Sequence, residues 1–322
     1  MQLGSVDSDR LNPIMPASSS AYYAPFPFKV TWDVTYRCNL RCNHCFVIYQ
    51  KNANFKHPRR EDALRIADSI VAARPFFVSI AGGEPFILEY MPEILAKFSD
   101  ADIDVIVATN GLFKEGLLSA IDANRVSLQV SLDGPNSDFH DRIRGTGTFR
   151  TTVNTIRVAA SRLNITVATT LTSHVCEHLD ELLDFVCGLN VKAIKLQKFI
   201  AAPSVPDRSL APSAKQLAQA ESSLRSIPGT VGQLVVMHPF DPIGFDREHS
   251  SQIRLAACEG GVGRTECTIT PEGNVVMCGA MLDDSRSYGN VQSEDLRDIW
   301  GRIVTQSSCG GHRCLCNSTL AI

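Results

Sequence analysis

The sequence predicts an α/β protein: an open, partial (β/α)6 TIM-like barrel followed by a small C-terminal extension built from a β-hairpin and a helix. Two patterns carry that expectation. From residue 28, short apolar runs alternate with longer amphipathic ones in six strand–helix repeats, and such a series builds a parallel sheet with right-handed crossovers. Six repeats are too few to close an eight-fold barrel. The segments after the expected strands are rich in Gly, Pro, Asn and Cys, and in parallel sheets the loops at the C-terminal strand ends carry the chemistry.

Taken in order, the first strand is expected at 28–34 and a helix at 59–73, where Leu64, Ile66, Ile70 and Val71 have helical spacing. A strand at 76–80 and a helix around 91–98 follow, then a strand at 103–108 and a helix around 112–120. The series continues with a strand at 126–131, a helix at 149–162, a strand at 165–171, a helix at 178–187 and a strand at 193–196. Beyond it the composition shifts to Ala, Ser and Pro, a connection around one helix at 214–227. The run V-V-M-H-P-F-D-P-I-G-F-D at 235–246 reads as a last strand and a loop, in which His238, Asp241 and Asp246 are candidates to face a substrate. Residues 268–270 and 274–277 bracket a Pro-Glu-Gly turn and predict a hairpin. The expected organisation is a leader at 1–27, the barrel at 28–245 and the extension at 246–322.

Composition narrows the function. A chain of 322 residues with 44% hydrophobic and 20% charged residues is that of an ordinary globular protein. A net charge of −3 gives no electrostatic reason to expect nucleic acid. No stretch of about 18 apolar residues predicts a membrane span. The polar first twenty residues lack the layout of a signal peptide, so a cytoplasmic location is expected. The eleven cysteines cluster at 38–45 and from 258 to 316, as reduced metal-binding thiols would. Cys176 and Cys187 flank a barrel helix and read as small apolar residues.

Cys38, Cys42 and Cys45 form a C-x3-C-x2-C triplet directly after the first strand. Three thiolates on one short loop can grip one metal centre and leave a coordination position open for chemistry. The alternative is a zinc site with His44 as fourth ligand. The triplet resembles that of the radical S-adenosylmethionine (SAM) enzymes. That resemblance implies a [4Fe–4S] cluster on the three cysteines, with SAM chelating the fourth iron. Its reductive cleavage then gives a 5′-deoxyadenosyl radical that abstracts hydrogen.

The loops after later strands extend the resemblance. Gly82-Gly83-Glu84-Pro85 resembles the segment that binds the SAM amino group, and Thr109-Asn110-Gly111 follows the third strand. Ser131 and Asp133, in Ser131-Leu132-Asp133-Gly134-Pro135, match positions that contact the ribose or methionyl part. Arg144 falls where a carboxylate-binding arginine is often found, and a guanidinium suits that contact. His44 and Phe46 match positions that contact adenine through backbone and an aromatic face.

The C-terminal Cys258, Cys278, Cys309, Cys314 and Cys316 resemble the ligands of the SPASM/Twitch extension of this family. The C-x2-C-x5-C-x3-C run of the full SPASM pattern is missing, which implies one auxiliary iron–sulfur cluster, held by Cys258, Cys278 and two of the last three. Zinc is the alternative there too. Cys267 is either a further ligand or a hydrogen donor held over the radical site. The resemblance implies hydrogen abstraction from a natural product or peptide, most sharply an epimerisation using Cys267. Oxidation of a sugar or aminocyclitol, and peptide cross-linking, are the alternatives; a non-catalytic iron–sulfur or zinc module is a remote one. A reductase such as flavodoxin or ferredoxin is the expected electron-donating partner.

Overall fold

The computed structural model describes residues 24–47, 58–227, 229–231, 233–237, 265–279 and 287–306. Its centre is β1 (Lys29–Thr35), where Val30, Trp32 and Val34 are all fully buried. A strand turns successive side chains to opposite faces, so one face of β1 enters the apolar core and Lys29, Thr31 and Asp33 belong to the other. The second strand β2 (Phe77–Gly82) pairs with β1 in parallel, Lys29 opposite Phe77 and Trp32 opposite Ile80. Then β3 (Asp104–Thr109), β4 (Val126–Ser131), β5 (Asn164–Leu171) and β6 (Ala193–Lys198) add in parallel, each beside its predecessor.

Helices cover the core face. In α1 (Arg60–Ala73) the buried residues are Ala63, Ile66, Ala67, Ile70 and Ala73, the stripe of an amphipathic helix. Met91, Ile94, Leu95 and Phe98 do the same in α2 (Met91–Asp100). Three further helices are α3 (Ser137–Arg144), α4 (Thr148–Ala160) and the short α5 (Ser173–Glu177). They are followed by α6 (Leu179–Cys187) and α7 (Ala214–Ser226). The 112–120 segment forms a 3-10 helix over Glu115–Ala120 instead of the expected α-helix. Among the described residues no helix is long and apolar enough to cross a membrane.

The sheet is parallel through its middle and open. Beyond β6 come β7 (Thr230–Val231) and β8 (Leu234–Met237), with β8 parallel to β6 and β7 antiparallel on its outer edge. On the other side the hairpin β9 (Glu266–Ile269) and β10 (Asn274–Val276) joins the same sheet, β9 lying parallel to β1. The two-residue β11 (Gly289–Asn290) ends that side, and α8 (Leu296–Gln306) follows. The order among the described residues is β11-β10-β9-β1-β2-β3-β4-β5-β6-β8-β7. The α/β class and open partial barrel agree with the sequence expectation. The hairpin expected in the extension pairs with β1 and so is continuous with the barrel sheet.

Candidate active site

Cys38, Cys42 and Cys45 follow β1 at its C-terminal end, and neighbouring loops hold that segment in place. Gly83 N donates to Thr35 O (2.6 Å) and Glu84 N to Arg37 O (2.9 Å). A Cβ on Gly83 would stand 2.0 Å from Arg37 O, and one on Gly82 2.3 Å from Thr35 O. Only glycine lets the two backbones meet this closely, and Gly82 also has φ +108°. The close approach expected towards a ligand is thus made to the entrance of the Cys loop. Pro85 is buried and starts a 3-10 turn over Pro85–Ile87.

Glu84 is fully buried, and its carboxylate ties its own turn to the segment that ends β3. One oxygen accepts from Phe86 N (3.1 Å) and Thr109 Oγ1 (2.8 Å); the other accepts from Asn110 N (2.7 Å). Burial pushes its carboxyl up to about 7 against the pull of those donors. Asn110 in turn reaches the loop, donating to Asn39 Oδ1 (2.7 Å) and lying 3.7 Å from Cys38 Sγ. Glu84, Thr109 and Asn110, read from the sequence as cofactor contacts, are bound to one another and brace the loop.

A second brace comes from β4 and α3. Arg144 Nε donates to Asp133 Oδ2 (2.5 Å), and its Nη1 lies 4.0 Å from Cys42 Sγ. Thr170 N donates to Asp133 Oδ1 (2.9 Å), and His44 Nε2 faces Asp133 Oδ2 at 3.5 Å. Both carboxylate oxygens of Asp133 are therefore engaged within the protein. Burial works to raise the Asp133 carboxyl, but Arg144 and His44 carry it down to about 2. Sequence reading missed His140, whose Nδ1 accepts from Asp133 N (3.2 Å) while its Nε2 is buried without a partner. The signal was available: His140 and Arg144, four apart on α3, share a helix face.

The loop's far end is also tied. Asn43 N donates to Ile143 O (2.8 Å), Asp207 N to Asn43 O (3.0 Å) and Ser204 Oγ to Phe46 O (3.1 Å). Phe46 packs on a small separate core of Ile143, Phe199, Ala202, Val205 and Leu210. The segment after β6, read from the sequence as a connection, is thus the seat of Phe46. Ser131 ends β4, opposite Ala168 of β5.

The donor set fits an iron–sulfur cluster. The described cysteines are all free thiols. Burial raises the Cys38 thiol to about 11 and raises Cys42, and in both cases a neighbouring cysteine adds to the rise. A bound cationic centre reverses that penalty. Among the described residues no three His, Cys, Asp or Glu side chains converge as ligands of one metal ion. His44 faces Asp133, and its Nδ1 is buried without a partner.

Cys267 is not brought to this site. On β9 it pairs with Val30, is 1% exposed and belongs to the main apolar core, and burial pushes its thiol up to about 12. Its neighbours Glu266 and Thr268 take the opposite face, where Glu266 pairs with Lys29 (2.5 Å) and Thr268 Oγ1 accepts from Gly279 N (3.1 Å). Strand alternation therefore turns the thiol into the apolar core with Val30, on the face opposite Glu266 and Thr268. Cys278, partly exposed after β10, precedes Gly279, where a Cβ would lie 3.4 Å from Asp33 Oδ2. Cys258, Cys309, Cys314 and Cys316, like His238, Asp241 and Asp246, lie outside the described residues.

An open parallel barrel that carries three thiols on a braced loop beyond its first strand has the layout of a cofactor-dependent enzyme whose chemistry sits at the strand ends. The family model described as the radical SAM superfamily matches residues 32–186, and that for SPASM, an iron–sulfur cluster-binding domain, matches 258–310. The chain belongs to the radical SAM superfamily and is a radical SAM enzyme with a SPASM region; its cofactors are a [4Fe–4S] cluster, SAM and iron–sulfur in that region. It is similar to "Mycofactocin maturase MftC" of Mycobacterium tuberculosis (strain ATCC 25618 / H37Rv), 28% identical over 281 residues, covering 85% of this chain and 70% of the relative. "PqqA peptide cyclase" of Ruegeria pomeroyi is 24% identical over 290 residues, covering 86% and 74%. Streptococcus suis SuiB bound to S-adenosylmethionine shares the fold at TM-score 0.69 and 18% identity; the match covers 86% of this chain and 66% of that one.

Proposed function

We propose that this enzyme matures a peptide: one hydrogen atom would pass to the 5′-deoxyadenosyl group, one electron would then pass to the auxiliary cluster with loss of a proton, and an oxidised or cross-linked product would remain. The carrying observation is that similarity to a maturase and a peptide cyclase runs through both domains, over at least 85% of the chain. Cys38, Cys42 and Cys45 would hold the SAM cluster. Cys258, Cys278 and two of Cys309, Cys314 and Cys316 would hold one auxiliary cluster. The chemistry supplied with cluster and SAM bound is one-electron cleavage of SAM and hydrogen abstraction by the resulting 5′-deoxyadenosyl group. The chain's own residues have simpler roles. Asn110 and Arg144 hold Cys38 and Cys42; Asp133 fixes Arg144 and faces His44; Phe46 would contact adenine. Gly82, Gly83 and Glu84 set the position of the loop, while Ser131 borders the lumen beneath it. Flavodoxin or ferredoxin would supply the electron. Epimerisation through Cys267 is not supported, because that thiol lies in the core.

The test is anaerobic reconstitution followed by incubation with SAM, dithionite and synthetic peptides copied from any short open reading frame that neighbours the gene. About eight irons per chain, 5′-deoxyadenosine and a peptide lighter by two hydrogens are expected. The C38A/C42A/C45A variant should fall to about four irons and make no 5′-deoxyadenosine. A peptide of unchanged mass despite 5′-deoxyadenosine release would reject peptide oxidation.

A further inference from the structure

The inner face of the barrel carries polar residues where the outer face is apolar. Thr31, Ser79, Ser127, Gln129 and Thr166 occupy inward positions on β1, β2, β4 and β5. Lys195 belongs to the same face, because its neighbours Ile194 and Leu196 are 0% and 2% exposed in the core. Its backbone pairs with Ala168, which also pairs with Ser131, so Lys195 starts from the row that ends at the candidate site.

Its charge is the unusual feature. Lys195 Nζ hydrogen-bonds to Gln129 Oε1 at 3.4 Å, a neutral acceptor at long range. Among the described residues it has no ion pair. Glu266 is within electrostatic reach, but Lys29 sits on that carboxylate at 2.5 Å. Burial lowers the Lys195 pKa, Lys29 lowers it further and Glu266 opposes. A cation held in a sheltered site without its own anion is costly unless a ligand supplies one.

We propose that Lys195 binds a carboxylate of the substrate inside the barrel, from either the C-terminus or an acidic side chain of a peptide. This rests on the peptide reading above and adds to it a chemical requirement. An ammonium–carboxylate contact is a charge-assisted hydrogen bond, stronger than its neutral counterpart. Uncharged lumen hydroxyls would satisfy the peptide's amide groups.

The experiment is anaerobic isothermal titration calorimetry of the reconstituted holoenzyme with SAM and four probes. They are acetyl-tetraalanine with a free carboxylate, its C-terminal amide, that amide with one Ala replaced by Glu, and hexanoate. At least one peptide carboxylate should bind about tenfold more tightly than the amide, and which one does identifies the source. K195M should lose the preference and K195R should keep it; K195Q replaces K195M if that variant does not fold. Equal binding of amide and carboxylates, no binding of any probe, or an unchanged preference in K195M would overturn the proposal. Hexanoate binding that depends on Lys195, with no peptide bound, would keep the carboxylate site and remove the peptide reading.

Discussion

Asp133 and Arg144 form a buried ion pair with side-chain exposures of 0% and 10%. Removing one partner of such a pair strands a charge in the interior, at a cost of about 3–5 kcal/mol. Arg144→Ala should therefore lower unfolding free energy by that order in anaerobic denaturant titration. Two carboxylates also give stability opposite pH dependences. Asp133 titrates near 2, below its usual 3.8, so its stabilisation is present above about 3.8 and fades as pH falls towards 2. Glu84 titrates near 7, above its usual 4.5, so stability falls as pH rises from about 4.5 to 7. D133N should flatten the acid limb of a stability–pH profile, and E84Q the limb between 4.5 and 7. If each variant keeps its limb, the assignments are wrong.

Elements add a geometric constraint. Gly83→Ala would drive a methyl group into Arg37 O and push the Cys loop off its seat, so iron bound after reconstitution should drop while far-ultraviolet circular dichroism stays native. Cys267→Ala should leave iron content and 5′-deoxyadenosine formation unchanged, because the thiol packs beside Val30; loss of either would restore a chemical role. The strands were legible because their buried residues alternate. Helix α3 was not, since it buries only His140 and Ile143 and offers no apolar stripe. The face of Cys267 could have been inferred from its polar neighbours Glu266 and Thr268. Its partner strand could not, because a period of two does not say which edge a strand joins. The triplet and GGEP were visible as motifs, yet that the glycines contact the Cys loop depends on where the chain folds back.

For the whole molecule, the sheet has a protected middle and two weak edges. β1 to β3 are covered by α1 and α2 and contain fully buried Val30, Trp32, Val78, Ile80 and Val107. The outermost β7 and β11 have two residues each. Native-state hydrogen exchange should be slowest in β1–β3 and fastest at β7 and β11. α8 ties the β11 edge to the middle: Arg297 donates to Ala73 O at the end of α1, and Trp300 Nε1 donates to Ala24 O (2.8 Å) before β1.

The pairing of Lys29 with Glu266 gives the protein a particular timetable at the ribosome. At about 5–20 residues per second, β1 emerges roughly 10–50 s before β9 can lie beside it. During that interval the strand leading to Cys38, Cys42 and Cys45 has an unpaired edge, and the thiols lack their completed surroundings. Nascent chains are thus most open to oxidation and to pairing with each other before the last strands arrive. Iron delivery belongs after that moment, when the sheet has closed around its first strand and the loop has a fixed place to hold it.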